Sequence, residues 1–157
     1  MSRFRFPSRL LATLAAVAAS LAAACSEAPA GPAELDTKHE QCARCRMGVV
    51  DRRFAAQVTA PGAEPKFFDD AGCLRDWLKD PKENAPWTAW VSDHRTKEFV
   101  PAANAVFTKS PTAQTPMNSG LLAHADAASR DQDPAAAGGT PVAAADVLGP
   151  LAPRRTP

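Results

Sequence analysis

The sequence lacks the features of several large functional classes. It contains no run of basic residues and no basic stretch interleaved with aromatics, which make up only 6% of the chain. Nucleic-acid binding is therefore not expected, because contact with the phosphate backbone needs such a surface. The one long apolar run spans residues 10–24. A membrane-spanning helix needs roughly 20 predominantly apolar residues, so this run is not predicted to be a permanent anchor.

The N-terminal region instead has the pattern of an export signal. Three arginines precede the apolar run, and the small residues 22–24 lead directly into Cys25. A basic start, an apolar centre and a small-residue end are typical of a signal peptide. The segment around Cys25 resembles the lipobox at which bacterial signal peptidases cut and acylate the cysteine, although Ala22 stands where a larger apolar residue is usual. We expect a lipidated Cys25; ordinary secretion with cleavage elsewhere is the alternative.

Composition divides the chain into four parts. Residues 1–24 are predicted to be the signal peptide, and the Ala- and Pro-rich residues 25–35 a lipid-anchored flexible tether. Residues 36–148 are predicted to form the folded domain, and residues 149–157 a disordered tail. Loss of the signal removes three arginines from a chain with 18 Lys plus Arg and 17 Asp plus Glu, so the mature protein is mildly acidic.

Short strand signals separated by Pro and Gly turns predict an α+β fold. Strands are expected from Val49, at residues 54–59, 66–68, 87–92, 98–101 and 121–125, and near Val142. A helix should begin at Asp69 or Asp70, either of which can cap it, and a second helix at Asp126. Residues 66–74 and 121–129 both place an apolar strand before an acidic helix start. This echo indicates two similar small units with short antiparallel strands and one helix each.

The segment Cys42-Ala-Arg-Cys45-Arg-Met47 is the most informative part of the chain. A c-type haem site is excluded there, because Arg46 stands where the attachment motif needs His. A zinc ribbon needs a second ligand pair, and no second Cys-x-x-Cys exists, but a composite zinc site with Cys73 and a histidine stays open. A redox pair and a structural disulfide between Cys42 and Cys45 also stay open. If Cys25 carries lipid, three cysteines remain, so a disulfide leaves one thiol unpaired.

Met47 favours copper over these alternatives. A thioether is a neutral, soft ligand that suits Cu(I) and binds Zn²⁺ poorly. On an extended segment, the side chains of Cys45 and Met47 would leave the same face and could share one ion. Met117 is the only candidate in a loop for a third soft ligand, since Met1 is lost with the signal. A gap-filling core methionine is an equally good interpretation of Met117.

Four motifs together resemble the NosL family, the accessory lipoproteins of nitrous oxide reductase. They occur in family order between residues 41 and 147, which is nearly all of the folded part. The motifs are Cys42-Ala-Arg-Cys45-Arg-Met47, Phe67-Phe-Asp-Asp-Ala-Gly-Cys73-Leu, Trp90-Val-Ser-Asp-His and Thr115-Pro-Met117-Asn-Ser-Gly-Leu. The resemblance implies a fold of two ββαβ-like units. It also implies a non-enzymatic, periplasmic Cu(I) chaperone, lipid-anchored to the inner or outer membrane, that supports copper-centre assembly in denitrification.

The resemblance further implies the ligands and the partners. Cys45, Met47 and Met117 match the family's copper ligands, and Cys42, a possible further ligand, matches its first, more variable cysteine. His124 stands where the family commonly has an aromatic residue and is a possible fourth ligand, although a core or surface histidine is the simpler interpretation. Asn118 replaces a usual Gly. The implied partners are nitrous oxide reductase or its maturation machinery. We expect Asp69 and Asp70 to cap a helix and Cys73 to be a packed thiol.

Overall fold

The structure is a computed structural model that describes residues 31–79 and 86–151. Within these ranges the chain forms two antiparallel sheets and three α-helices, which confirms the predicted α+β class. The elements in chain order are β1 (Ala56–Thr59), β2 (Lys66–Phe68), α1 (Ala71–Leu78), β3 (Thr88–Ser92), β4 (Phe99–Pro101), β5 (Val106–Lys109), β6 (Leu121–His124), α2 (Ala127–Asp131), β7 (Thr140–Val142) and α3 (Ala144–Leu148).

The two sheets have related topologies. The first has the strand order β2-β1-β3-β4, and the second has the order β6-β5-β7. In each, the first strand of the unit is flanked by the second strand and by the strand that follows the helix, with antiparallel pairing on both sides. The first unit adds β4, and the second adds α3. Two units of one strand–strand–helix–strand plan therefore account for the repeat seen in the sequence.

Helix α1 forms where its cap and its apolar face agree. The Asp70 carboxylate accepts from the Gly72 amide at 2.6 Å, which satisfies one of the free N–H groups at the helix start. The apolar face of α1 is buried, as expected from its spacing, through Cys73, Leu74, Trp77 and Leu78. Burial of this face fixes α1 against the sheets and holds its N-terminal end in place.

The two units are joined by the turn that follows β3. The Asp93 carboxylate accepts from the amides of Arg95 and Thr96, both at 2.9 Å, and from the Ala125 amide of the second unit at 2.8 Å. The His94 amide donates to the Ala123 carbonyl at 2.9 Å. These bonds align the end of β3 with the end of β6, so the units are held in one arrangement.

Two expectations need correction. Residues 42–47 are not extended: the Arg46 amide donates to the Cys42 carbonyl at 2.9 Å, and Arg46 has φ 69°, so the chain reverses there. The strand expected around Val49 is replaced by an isolated bridge between Gln41 and Gly48. A left-handed residue inside a hydrogen-bonded turn cannot continue a strand.

Residues next to both ends of the predicted domain also take part in the structure. Ala33 exchanges two hydrogen bonds with the Gln57 side chain, at 2.7 and 3.0 Å, so the chain contacts the domain before Asp36. At the other end, Gly149–Leu151 forms a 3₁₀ turn. The predicted signal peptide and Cys25 lie outside the described residues. Within residues 31–79 and 86–151, no helix has the length and apolarity to cross a bilayer.

Candidate metal centre

A tight turn presents the first two thiols. Inside it, the Cys42 amide donates to the Met47 carbonyl at 2.8 Å, and the Ala43 amide donates to the Phe67 carbonyl at 2.8 Å, which ties the turn to the end of β2. The Cys45 amide points at Cys42 Sγ at 3.5 Å. A sulfur that accepts from a backbone amide is favoured as a thiolate, the form that binds metal.

Four side chains converge beside this turn. The potential ligand atoms of Cys42, Cys45, Cys73 and Asp69 all lie within 4.8 Å of one another. The Cys45 thiol lies 3.4 Å from both oxygens of the Asp69 carboxylate. The three thiols are free, so the disulfide considered between Cys42 and Cys45 is not formed in this structure. Three segments supply these potential ligand atoms: the cysteine turn, the end of β2 and the first turn of α1.

The cluster holds one thiolate more readily than two. A hydrogen bond from Cys73, together with the amides of Cys45 and Asp69, lowers the pKa of Cys42 to about 6. Burial and the neighbouring Cys42 raise the pKa of Cys45 to about 11. The hydrogen bond to Cys42, then burial, also raises the pKa of Cys73. Because a second negative sulfur is disfavoured without a cation, a metal ion has to displace the remaining protons.

The loop that carries Met117 is attached to the start of α1. The second oxygen of the Asp70 carboxylate accepts from the Met117 amide at 3.1 Å, and the first accepts from the Ser119 hydroxyl at 2.5 Å. Gly72 makes this approach possible: a Cβ there would lie 2.6 Å from Ser119 Cβ, closer than real Cβ contacts. Asp70 therefore caps the helix and anchors the methionine loop at the same time.

The anchored loop brings Met117 to the sulfur cluster. Cys45, Cys73 and Met117 line one cleft of about 390 Å³, bordered by the basic side chains Arg44, Arg75 and Lys109. Met117 is 43% exposed, so it lies at the open edge of the cleft and is not a core residue. Cys45 and Met117, predicted as ligands from two distant segments, thus line the same cleft.

Met47 and His124 have other positions. The Met47 side chain is 54% exposed and does not line the cleft, although its amide lies against the Cys45 sulfur and favours the thiolate. His124 is fully buried and belongs to a different cluster, with His94 and Asp133. The structure therefore does not place His124 among the sulfur ligands.

Two members of the cluster were assigned other roles from the sequence. Cys73 was expected to be a packed thiol; it is buried, but it also faces the other two cysteines. Asp69 was expected to cap α1, whereas Asp70 does so and Asp69 contacts Cys45. Sequence reasoning missed this role of Cys73 because the bridge between Cys42 and Phe67, which brings the start of α1 to the cysteine turn, is not visible in the sequence.

Comparisons with known proteins support the fold. No protein-family model matches the chain, and no curated protein matches it by sequence. Among solved structures, the fold resembles the crystal structure of the copper chaperone NosL from Shewanella denitrificans, with a TM-score of 0.56. That comparison covers 73% of this chain and 93% of the other, at 19% sequence identity. The protein therefore combines a NosL-like fold with a cysteine-rich candidate metal site.

Proposed function

We propose that the protein is a periplasmic Cu(I) carrier, lipid-anchored through Cys25, that delivers copper for the assembly of nitrous oxide reductase. The observation that most directly supports this proposal is the cleft that Cys45 and Met117 share. A thiolate beside a thioether is a donor set suited to Cu(I). The NosL-like fold supports the same proposal. The recipient and the anchor rest on the motif resemblance and on the signal pattern.

The geometry suits release as well as binding. Cys45 is partly exposed, and Met117 and Met47 are among the exposed large apolar side chains. A partner's sulfur ligand can therefore approach the ion from the open side while Cys42 and Cys73, both buried, hold it from behind. Stepwise replacement of the thioether and then of the Cys45 sulfur would transfer the ion without any covalent bond being made or broken in the chain.

The test measures Cu(I) affinity by competition with a chromophoric Cu(I) chelator under anaerobic conditions. We expect Met117→Ala to weaken binding at least about tenfold, because one soft donor is lost (a tenfold change is about 1.4 kcal/mol). Cys45→Ser should weaken it further, since a neutral hydroxyl replaces a thiolate. Val50→Ala, which removes another exposed apolar side chain, is the control and should bind normally.

The same experiment examines Met47, whose side chain lies outside the cleft. A Met47→Ala loss comparable to that of Met117→Ala would mean that the side chain turns inward when the ion binds. Unchanged Cu(I) affinity in both methionine variants would contradict the proposed copper site.

Mass measurement of the membrane-extracted protein tests the lipid anchor. A mature chain without lipid on residue 25 would contradict it.

A thiol oxidoreductase is the second candidate, favoured by the lowered pKa of Cys42 beside Cys45. Such an activity needs both cysteines and is indifferent to methionine. Thiol–disulfide exchange with a model disulfide, measured in Cys42→Ser and Met117→Ala, separates the two functions. The copper carrier predicts no turnover beyond that of free thiol and a strong methionine effect on metal binding. The oxidoreductase predicts the reverse.

A further inference from the structure

A second cluster of potential ligands lies in a different part of the domain. The Asp133 carboxylate oxygen Oδ2 contacts His94 Nδ1 at 2.5 Å and His124 Nε2 at 2.9 Å. All three side chains are buried. None of the donors is sulfur, so the chemistry of this cluster differs from that of the cysteine cleft.

Three elements fix these side chains. His94 lies in the turn after β3, where its backbone amide donates a hydrogen bond to the Ala123 carbonyl at 2.9 Å. His124 is the last residue of β6. The other carboxylate oxygen of Asp133, Oδ1, accepts from the Ala135 amide at 2.9 Å. Because Oδ1 is already engaged, Asp133 directs Oδ2 at both rings.

The ring nitrogens show an incomplete set of partners. With neutral rings, His94 Nδ1–H and His124 Nε2–H both donate to one oxygen. His124 Nδ1 is then a bare acceptor, and in the described part of the chain it is buried without a hydrogen-bond partner. Because Nδ1 makes no hydrogen bond, it is free to take up the ring proton if a cation binds at Nε2.

We propose that His94, His124 and Asp133 form a second metal site, for a divalent cation of the zinc class. Two imidazoles and one carboxylate form a three-ligand set that Zn²⁺ accepts, with a fourth position left for water. On binding, each ring keeps one proton, which moves to its other nitrogen; in His124 that nitrogen is the bare Nδ1. With metal–ligand bonds near 2.0–2.1 Å, ligand atoms in a tetrahedral site are about 3.3 Å apart, so both observed contacts would lengthen by several tenths of an ångström.

The surroundings give the site access and selectivity. Asp133 lines a cleft of about 530 Å³ together with Arg130, Gln132, Gly138 and Pro141, among others. Neither histidine lines this cleft, so an ion would enter from the side of Asp133. Imidazole and carboxylate donors suit Zn²⁺, whereas soft sulfur donors suit Cu(I). With Cu(I) bound in the sulfur cleft, Zn²⁺ is left with the nitrogen and oxygen donors of the second cluster, independently of what the sulfur cleft delivers.

The first test is spectroscopic and uses the unaltered protein. The reduced protein receives one equivalent of Cu(I) and then one equivalent of Zn²⁺, and zinc X-ray absorption reports the neighbours of the bound ion. We expect nitrogen and oxygen neighbours only. Nitrogen-15 NMR of the ring nitrogens should show His94 and His124 change while His39 stays constant; the chain has only three histidines. Sulfur neighbours around zinc, or unchanged ring signals, would overturn the proposal.

The second test compares matched histidine variants. His124→Gln and His94→Gln should each lower Zn²⁺ affinity at least about tenfold, since one of three ligands is lost. His39→Gln removes another histidine paired with a carboxylate, Asp36 at 2.7 Å, on the surface, and should bind zinc normally. An equal loss in His39→Gln, or no loss in the other two, would show a hydrogen-bonded triad only. A variant with Cys45→Ser and Cys73→Ser removes the competing thiols even if copper fails to bind, so zinc absorption on that variant is separable from the proposed function.

Discussion

At the scale of single residues, the position of Met117 depends on the backbone of its neighbour Asn118. Asn118 has φ 55°, in the left-handed region, and its amide donates to the Thr115 carbonyl at 2.9 Å to close the turn. Asn tolerates this conformation, and Gly adopts it without a steric penalty. The Asn at this position, which departs from the usual Gly of the resembled family, is therefore compatible with the loop.

Substitutions of Asn118 should follow backbone preference. Asn118→Gly should leave Cu(I) affinity within about twofold, whereas Asn118→Val should weaken it and destabilise the fold by about 1–2 kcal/mol, because a β-branched residue is strained at positive φ. Chelator competition and chemical denaturation measure the two effects. Equal behaviour of the two variants would show that the conformation at 118 does not matter for the site.

The sequence was informative about single residues where side-chain chemistry is distinctive. A thioether two residues after a thiol, and another beside Pro and Asn, can be recognised without a structure. Asp69 and Cys73 could not be assigned in the same way. An aspartate before a helix is most simply a cap, and a cysteine on an apolar face is most simply packed. The bridge between Cys42 and Phe67 places the cysteine turn beside the end of β2, and therefore beside Asp69 and Cys73.

At the scale of elements, the start of α1 performs two tasks through Asp70. Its carboxylate caps the helix at Gly72 and accepts from the Met117 amide. Asp126 supplies a comparison, because it caps α2 by accepting from the Ser129 amide at 2.7 Å and belongs to no metal cluster. The two aspartates therefore share the capping role and differ in the second contact.

Removal of each cap should separate the two roles. Asp70→Ala and Asp126→Ala should each cost about 1 kcal/mol or more in stability, the usual effect of losing a helix cap. Only Asp70→Ala should also weaken Cu(I) binding, since Met117 is then free to leave the cleft. Denaturation and chelator competition on both variants test this. If Asp126→Ala lowered copper affinity as much, the effect would be general destabilisation and not loss of the anchor.

Elements with regular periodicity and clear caps could be predicted, whereas the cysteine turn could not. The helix starts at Asp70 and Asp126 and the strands around residues 56–59 and 121–124 follow from hydrophobic pattern and capping chemistry. The turn at residues 42–47 depends on a positive φ at Arg46 and on bonds to β2, which is distant in sequence. An arginine gives no local signal for that conformation.

At the scale of the whole molecule, the candidate copper cleft lies between the two units. Its cysteines belong to the first unit, and Met117 lies in the loop between β5 and β6 of the second. The distance between thiolate and thioether is therefore set by how the units pack. Asp93 is one of the side chains that bond across the junction, to the Ala125 amide, and it is fully buried.

Loss of the hydrogen bonds to Asp93 should loosen the junction between the units and also weaken Cu(I) binding in the cleft. Asp93→Ala leaves three backbone amides without their acceptor, at about 1 kcal/mol each, so we expect a loss of about 3 kcal/mol in the free energy of unfolding. Cu(I) affinity should fall as well. The fall should largely disappear in the Met117→Ala background, because the junction acts on copper by positioning that methionine. Asp51→Ala is the control, because the Asp51 carboxylate accepts a hydrogen bond from the Arg53 amide at 3.0 Å within one unit. An equal copper effect in Asp51→Ala, or full additivity of Asp93→Ala with Met117→Ala, would show that the packing of the units does not set the site.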